Sequence, residues 1–380
     1  LKNNTTASNN VALGLDALMT NTTGANNVAV GKDALRDSTT ASNNTAVGHN
    51  ALTSNTTGTQ TAVFGYQAGD SITTGGAHTI IGYQAGQAVV DVDHNTLVGQ
   101  AAGYSITGGN NTIAGSNAGY YLTTGTNNVA FGKDAMQGVS TGATAANNVA
   151  IGLSSLIAVT TGGTNVAVGN YSMAAMTTGA RNVAMGYAAL DAASTTSDNT
   201  AIGYDSLTAT TSGYSNVAVG KDALKSNTEG QSGVAVGADA ATSNLTGHYV
   251  TALGFEALKD TNASANVAVG GFAGKTNSTG AYNTLMGHNA GQSLNANYNT
   301  VIGYSAGYGI STGAGNTVLG GLAAHDTVSL TTGTNNTVLG MQARTSIANA
   351  ENQIVIGYNF SGNGDNKISV GSNSGYVWNS

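Results

Sequence analysis

The chain of 380 residues contains 55 glycines, no proline and no cysteine, and only 8% of its residues are charged. The formal net charge of −7 argues against nucleic acid as a partner, because phosphate binding needs clustered Lys and Arg. The lack of cysteine excludes disulfides and thiolate metal sites. Because 40% of the residues are hydrophobic and recur in register, we predict a repetitive core. No apolar run is long enough for a membrane helix, so we predict no membrane insertion.

One pattern, seen as NVAVGKDAL at residues 216–224, recurs along the whole chain. Its glycine, taken here as position 0, occurs 22 times, and fifteen of the 21 intervals between successive glycines are 17 residues. A fixed period this short predicts stacked coils, and the V-A-V and T-V-L triplets before the glycines favour β-strand. The sequence therefore predicts an all-β solenoid or β-roll of about 22 coils with a 17-residue period.

Departures from the period mark loops and ends. Two 20-residue repeats each insert three residues, within 138–146 and 325–333, and predict longer loops. The last interval is only 14 residues, and Trp378, the single tryptophan, follows it. Solenoid ends need a cap. We therefore divide the chain into a solenoid shaft, residues 1–371, and a C-terminal cap or tail, residues 372–380.

Two positions of the repeat have predicted structural roles. The glycine at position 0 ends each strand where the chain turns with positive φ or approaches a neighbour closely. Position −4 is Asn in sixteen repeats. Its amide can cap backbone groups, adopt left-handed dihedrals and hydrogen-bond to its copy one coil away. We therefore assign structural roles to Gly203, Gly220, Asn199 and Asn216.

Positions −2 and +4 compensate each other in volume. Where −2 is Ala, +4 is usually large, and such pairs include Ala201 with Leu207 and Ala218 with Leu224. Where −2 is large, +4 is usually Gly, and such pairs include Leu97 with Gly103 and Ile113 with Gly119. Because close packing fixes the summed volume at a shared site, both positions are predicted to face one interior. Ala268 with Gly274 breaks the rule.

Position −1 is apolar in every repeat. Adjacent strand residues point to opposite faces, so position −1 faces away from the interior that holds position −2. A second apolar row of this length would be a larger exposed patch than a soluble monomer carries. We therefore predict that the row packs against copies of the same chain in a cyclic homotrimer.

Position +1 varies in chemistry, which predicts exposure to solvent. Because aromatic rings pack against sugar rings, the tyrosines at this position are candidate receptor-binding residues, and they are Tyr66, Tyr83, Tyr187, Tyr204 and Tyr304. Asp91, Asp93 and His94 form a weak candidate metal site, for which a solvated loop is the leading interpretation.

The acidic residues offer no catalytic pair. Several occupy position +2, where stacking places them along one edge of the coil, and they are Asp16, Asp33, Asp134, Asp222 and Asp239. Three of them follow a lysine, which predicts surface ion pairs. Hydrolysis by a carboxylate pair requires two acids facing a cleft. We predict no enzymatic activity, no catalytic residues, no bound cofactor and no resident metal.

The recurring NNVAVG, NTVIGY and NTAIGY motifs with a TTG connector resemble the NNxAxG-type β-roll repeats of trimeric phage tail fibres. They are similar to the NSVAIG-type repeat in the head domain of trimeric autotransporter adhesins. The resemblance covers residues 1–371 and implies a left-handed parallel β-roll, intertwined or packed as a trimer. It also implies attachment to a host cell-surface receptor, with a glycan among the candidates.

The longer coil and the lack of a coiled-coil stalk favour the tail-fibre branch, with the protein in the virion tail, outside the cell. A bacterial cell-surface adhesin is the alternative. Similar fibres carry a C-terminal chaperone that cuts itself off after a serine, and an end at Ser380 suits such a product. A glycan-degrading tailspike enzyme and an ice-binding solenoid are further alternatives. The first needs an acid pair in a groove, and the second needs one flat row of threonines.

Overall fold

The computed structural model describes residues 2–326, 330–372 and 375–379, the last range through its backbone alone. Within these ranges every named secondary-structure element is a β-strand, and the strands recur about every 17 residues. The predicted all-β solenoid with a period of about 17 residues is therefore confirmed. The chain divides into two compact units, Leu1–Ser197 and Asp198–Ser380.

The first unit contains eleven strands, each paired with the next in parallel and in register. Equivalent residues therefore stack, as Ala29 does beside Ala46. The strands are β1 Val11–Leu13, β2 Val28–Val30, β3 Thr45–Val47, β4 Ala62–Phe64, β5 Thr79–Ile81, β6 Thr96–Val98, β7 Thr112–Ala114, β8 Val129–Phe131, β9 Val149–Ile151, β10 Val166–Val168 and β11 Val183–Met185.

The second unit continues the numbering, and its strands also pair in parallel as far as β22. Its strands are β12 Thr200–Ile202, β13 Val217–Val219, β14 Val234–Val236, β15 Thr251–Leu253, β16 Val267–Val269, β17 Thr284–Met286, β18 Thr300–Ile302, β19 Thr317–Leu319, β20 Thr337–Leu339, β21 Ile354–Tyr358, β22 Ile368–Ser372 and β23 Gly375–Asn379.

The backbone of the predicted cap forms β23, which pairs antiparallel with β22. The pairing contains a register shift between Val370 and Gly371. The side chain of Trp378 lies outside the described residues, so its capping role stays a prediction. The second insertion includes residues 327–329, which also lie outside them.

Each coil is closed by hydrogen bonds to the next coil well beyond its short strand. In the coil of Gly220, Leu224 N donates to Ala240 O at 3.0 Å and Thr228 N donates to Leu245 O at 2.9 Å. Backbone groups on several sides of the coil therefore pair with the neighbouring coil, as buried peptide groups require.

Four positions of a typical coil have positive φ: −5, 0, +2 and +4. In the coil of Gly220 these are Ser215, Gly220, Asp222 and Leu224, with φ of 57°, 137°, 56° and 48°. The left-handed conformation that Asn tolerates is therefore not used by Asn216. The left-handed residue of this turn lies directly before it, at −5.

Candidate functional site

The predicted shared interior of positions −2 and +4 is confirmed. A Cβ added to Gly103 would lie 2.8 Å from Leu97 Cδ2, and one added to Gly119 would lie 2.6 Å from Ile113 Cδ1. The large side chain at −2 therefore fills the space that a side chain at +4 would occupy. Where −2 is Ala, both positions are fully buried, as they are at Ala201, Leu207, Ala218 and Leu224.

The exception at Gly274 is explained by the coils on either side of it. A Cβ at Gly274 would lie 2.5 Å from Leu285 Cδ1 of the following coil and 2.9 Å from Leu258 Cδ2 of the preceding coil. Large residues of the neighbouring coils therefore fill the space beside Ala268, and the volume rule extends along the stack as well as within a coil.

The asparagines at −4 form the predicted ladder. Asn216 N donates to Asn199 Oδ1 at 3.0 Å, and Asn199 Nδ2 donates to Gly213 O at 3.1 Å. Asn216 repeats the pattern, since its Nδ2 donates to Gly230 O at 2.8 Å and its Oδ1 accepts from Gly233 N at 2.8 Å. Both asparagines are buried, so these bonds satisfy backbone groups that water cannot reach.

The predicted role of glycine at position 0 is also confirmed. Gly203 and Gly220 have φ of 138° and 137°. A Cβ on Gly220 would lie 2.5 Å from the carbonyl oxygen of Gly237, and a Cβ on Gly203 would likewise overlap the carbonyl of Gly220. Coil spacing and backbone conformation therefore both demand glycine at this position.

Position −1 lies on the outside of the coil in each unit considered alone. Its larger side chains are about two-fifths exposed, for example 42% for Phe131 and 39% for Ile151. The exposed members are Leu13, Phe64, Ile81, Phe131, Ile151 and Met185 in the first unit and Ile202, Val236, Met286, Leu319 and Leu339 in the second. We call these residues the outer apolar row.

The tyrosines at +1 are exposed, as predicted, but their ring faces are not equally free. Tyr66 stacks between His49 and Tyr83, with ring centroids 5.4 Å and 5.2 Å away. Both faces of Tyr66 and one face of Tyr83 are therefore covered, and Tyr66 presents its edge and hydroxyl to solvent. Stacking of a sugar on Tyr66 would require this column to open.

The other three candidate tyrosines lie apart from that column. Tyr187 contacts Tyr171 edge to face at 5.8 Å. Tyr304 stacks on His288 at 5.9 Å, and it is 60% exposed. Tyr204 is half exposed. The structure thus stacks Tyr66 on Tyr83, and receptor binding by any of the five stays a prediction.

Sequence reasoning missed three tyrosines at position −5 of the second unit. Tyr249, Tyr282 and Tyr298 are 64%, 56% and 64% exposed, which exceeds most of the tyrosines at +1. The available signal was a bulky aromatic residue in a position that elsewhere is often Asn.

Asp91 and Asp93 bond to the turn of the preceding coil. The Asp91 carboxylate accepts hydrogen bonds from Thr73 and Thr74, which lower its pKa. Asp93 Oδ1 accepts from Gly76 N at 2.7 Å. Across the described residues no group of three or more His, Asp or Glu is placed to hold a metal ion, and this includes His94 beside the two aspartates.

The three predicted Lys–Asp ion pairs are present, and they are Lys32 with Asp33, Lys133 with Asp134 and Lys221 with Asp222, at 3.3, 3.8 and 3.2 Å. Lys225 also bridges Asp222 and Asp205, at 2.9 Å from each. Partial burial raises the pKa of Asp222, but hydrogen bonds from Lys225 and Lys221 outweigh it and lower the pKa overall. The contact between Lys225 and Asp205 links the edges of neighbouring coils.

The fold and the repeat together define this chain as a parallel β-solenoid repeat protein. Comparison with models of protein families finds no match, and comparison with curated proteins finds none either. The described residues contain no helix long and apolar enough to cross a membrane.

Proposed function

We propose that the chain is a structural and adhesive fibre protein, the shaft and receptor-binding region of a phage tail fibre that attaches the virion to a host cell surface. One observation carries the proposal. The outer apolar row recurs coil after coil and lies on the outside of the single chain, as at Phe131 and Ile151. Such a row needs a cover, since exposed apolar patches of this extent mark interaction sites.

A second copy of the same chain is the cover that fits best. Strand neighbours lie about 4.8 Å apart, so the row repeats at that spacing within each unit. A parallel copy repeats at the same spacing and can match it coil for coil. Placing copies around a rotation axis parallel to the stack buries every row against identical rows, which is a cyclic arrangement, and we propose three chains.

The proposed mechanism of attachment is multivalency. Three identical chains present three copies of each exposed aromatic site, and simultaneous binding raises avidity well above that of one site. The acids at +2 support a non-enzymatic role, because Asp33 and Asp222 are each paired with a lysine. A bacterial surface adhesin of the trimeric autotransporter type would use the same arrangement and is the alternative.

Light scattering of the purified chain, in native buffer and in mild denaturant, tests the assembly. We expect a mass of about three times 37.5 kDa that persists in mild denaturant. A stable monomer would overturn the proposal, because the outer apolar row would then be tolerated in water. Attachment is tested separately by adsorption of the fluorescently labelled protein to a panel of bacterial cells, with excess unlabelled protein as competitor.

A further inference from the structure

The turn between β21 and β22 contains the one asparagine of the sequence that is followed by glycine, Asn363 before Gly364. Gly364 has a φ of 126°, which residues with a side chain rarely adopt, so the path of the turn favours glycine here. Asn363 is exposed, and its side chain makes no hydrogen bond to the described residues. The fold therefore accounts for the glycine but holds the carboxamide of Asn363 in no fixed contact.

The backbone nitrogen of Gly364 is also free. Among the described residues it donates no hydrogen bond, whereas the nitrogens around it in the stack are mostly paired with a neighbouring coil. Because glycine has no Cβ, no side chain of its own shields this nitrogen from the carboxamide carbon of Asn363. The two groups that cyclise in an Asn-Gly pair, the side-chain carbonyl carbon and the following backbone nitrogen, are therefore both unrestrained.

Asn352, in the preceding coil, is exposed as well but is held at both of the corresponding groups. Its Nδ2 donates to Asn366 Oδ1 at 2.9 Å. The backbone nitrogen that follows it, Gln353 N, donates to Asn336 Oδ1 at 2.9 Å as part of the ladder. Cyclisation at Asn352 would have to break both hydrogen bonds, so Asn352 is a matched reference for Asn363 within the same protein.

We propose that Asn363 is a site of spontaneous deamidation. Gly364 N loses its proton to hydroxide and attacks Asn363 Cγ, and the new N–C bond displaces the side-chain amide, which takes a proton from water and leaves as ammonia. Water then opens the resulting succinimide ring. Cleavage of its bond to Cγ gives aspartate, and cleavage of its bond to the main-chain carbonyl carbon gives isoaspartate. Both products replace a neutral amide by a carboxylate, with water as the only co-reactant.

Isoaspartate lengthens the main chain by one carbon atom directly before the contacts that hold the last coil. Asp365 Oδ1 accepts from Glu351 N at 2.9 Å, and Asn366 N donates to Glu351 O at 3.1 Å. Ile354 N donates to Lys367 O at 3.0 Å. These bonds join the turn to the preceding coil, and β22, which follows it, pairs with β23. The isoaspartate form therefore weakens the C-terminal end of the stack.

Peptide mapping by mass spectrometry, after the folded chain is aged in mildly alkaline or mildly acidic buffer, tests the site. Trypsin releases residues 345–367, which include both Asn352 and Asn363. We expect Asn363 to convert at least tenfold faster than Asn352, and faster in alkaline buffer because Gly364 N must lose its proton. Equal rates at the two asparagines would overturn the site. So would a rate at Asn363 more than tenfold below that of the chain unfolded in guanidinium chloride.

Hydrogen exchange tests the structural consequence in aged wild type, aged Asn363→Gln and fresh Asn363→Asp. Glutamine must close a larger ring and stays an amide, and the fresh aspartate adds the charge without lengthening the main chain. We expect peptides that contain Ile354 and Asn366 to exchange at least threefold faster in aged wild type than in either variant. Equal exchange in all three would overturn the weakening of the last coil. Neither measurement depends on the trimer proposed above, whose test is the mass in solution.

Discussion

Two positions of a typical coil, 0 and +4, have a positive φ but differ in whether they accept a side chain. Gly220 and Leu224 both have positive φ, 137° and 48°. At Gly220 a Cβ would overlap the next coil's carbonyl, so no side chain is tolerated. At Leu224 the Cβ points into the core, and burial of the side chain offsets a left-handed conformation that costs about 1–2 kcal/mol.

Two adjacent glycines allow the effect of an added Cβ at position 0 to be tested. Gly320 has φ of 140°, and an added Cβ would lie 2.6 Å from the carbonyl carbon and oxygen of Gly340. An added Cβ on Gly321 meets no atom within 4 Å. We expect Gly320→Ala to lower the free energy of unfolding by at least about 2 kcal/mol, and Gly321→Ala to change it by less than about 0.5 kcal/mol. Urea unfolding monitored by circular dichroism measures both, and equal losses would contradict the argument.

The sequence predicts the glycine but not the leucine. A residue that recurs at every strand end signals a backbone that only glycine adopts. Leu224, in contrast, reads as an ordinary core residue, because nothing in its chemistry favours positive φ. Its conformation follows from the path that the coil must take between two hydrogen-bonded neighbours.

At the scale of the coil, the ladder at −4 accommodates a histidine in place of asparagine. His78 Nδ1 accepts the hydrogen bond from Asn95 N at 3.1 Å, the bond that an Asn Oδ1 accepts elsewhere. The imidazole is 2% exposed, and its burial lowers the pKa. Asp93 raises the pKa and His94 lowers it, but burial outweighs both. The ladder therefore requires neutral His78.

This substitution predicts a pH-dependent stability. The folded pKa lies below the unfolded value of about 6.5, so the unfolded chain takes up a proton first as the pH falls. The contribution of His78 is complete above about pH 6.5 and is lost as the pH falls through 6.5 towards the folded pKa. We expect the melting temperature to fall between about pH 7.5 and pH 5, and to fall less in His78→Asn, which restores the common ladder residue.

Differential scanning calorimetry of both proteins across this range is the measurement. His288→Asn serves as the control, because it removes an exposed histidine at position +1 of another coil while leaving the ladder intact. An identical pH dependence of the melting temperature in wild type and His78→Asn would show that protonation of His78 does not affect the stability of the fold.

Whether a ring can bind a ligand is decided between coils. The tyrosines at +1 were selected from sequence by their expected exposure, which is correct for Tyr66 and Tyr83. The freedom of a ring face depends on the same position one coil away, and His49 and Tyr83 cover Tyr66. Residues 16 or 17 positions apart must therefore be considered together.

At the scale of the whole molecule, the outer apolar row decides between a monomer and an assembly. Volume compensation inside the coil predicted which row is internal, and the alternation of strand residues then predicted that position −1 faces outward. Within the described parts of the chain, this row stays exposed. Whether chains meet through this row is therefore tested by substitutions whose effect on assembly differs from their effect on the coil.

The double variant Phe131→Glu with Ile151→Glu separates an effect on assembly from an effect on the coil. Both side chains lie outside the coil, so the single chain should keep its fold and its circular dichroism spectrum. In a trimer closed through this row, six carboxylates would be brought together away from water, at a cost of several kcal/mol. We expect the mass by light scattering to fall towards 37.5 kDa at concentrations where the wild type has the mass expected of the proposed trimer.

Thr161→Glu is the matched control for that double variant. Thr161 is an exposed residue of the coil that contains Ile151, and the equivalent position of another coil already holds Glu229. Because it lies away from the outer apolar row, its replacement should leave the trimer intact. Dissociation by Thr161→Glu to the same degree would mean that added charge alone disrupts assembly. An unchanged trimer in Phe131→Glu with Ile151→Glu would mean that the chains meet through a different surface.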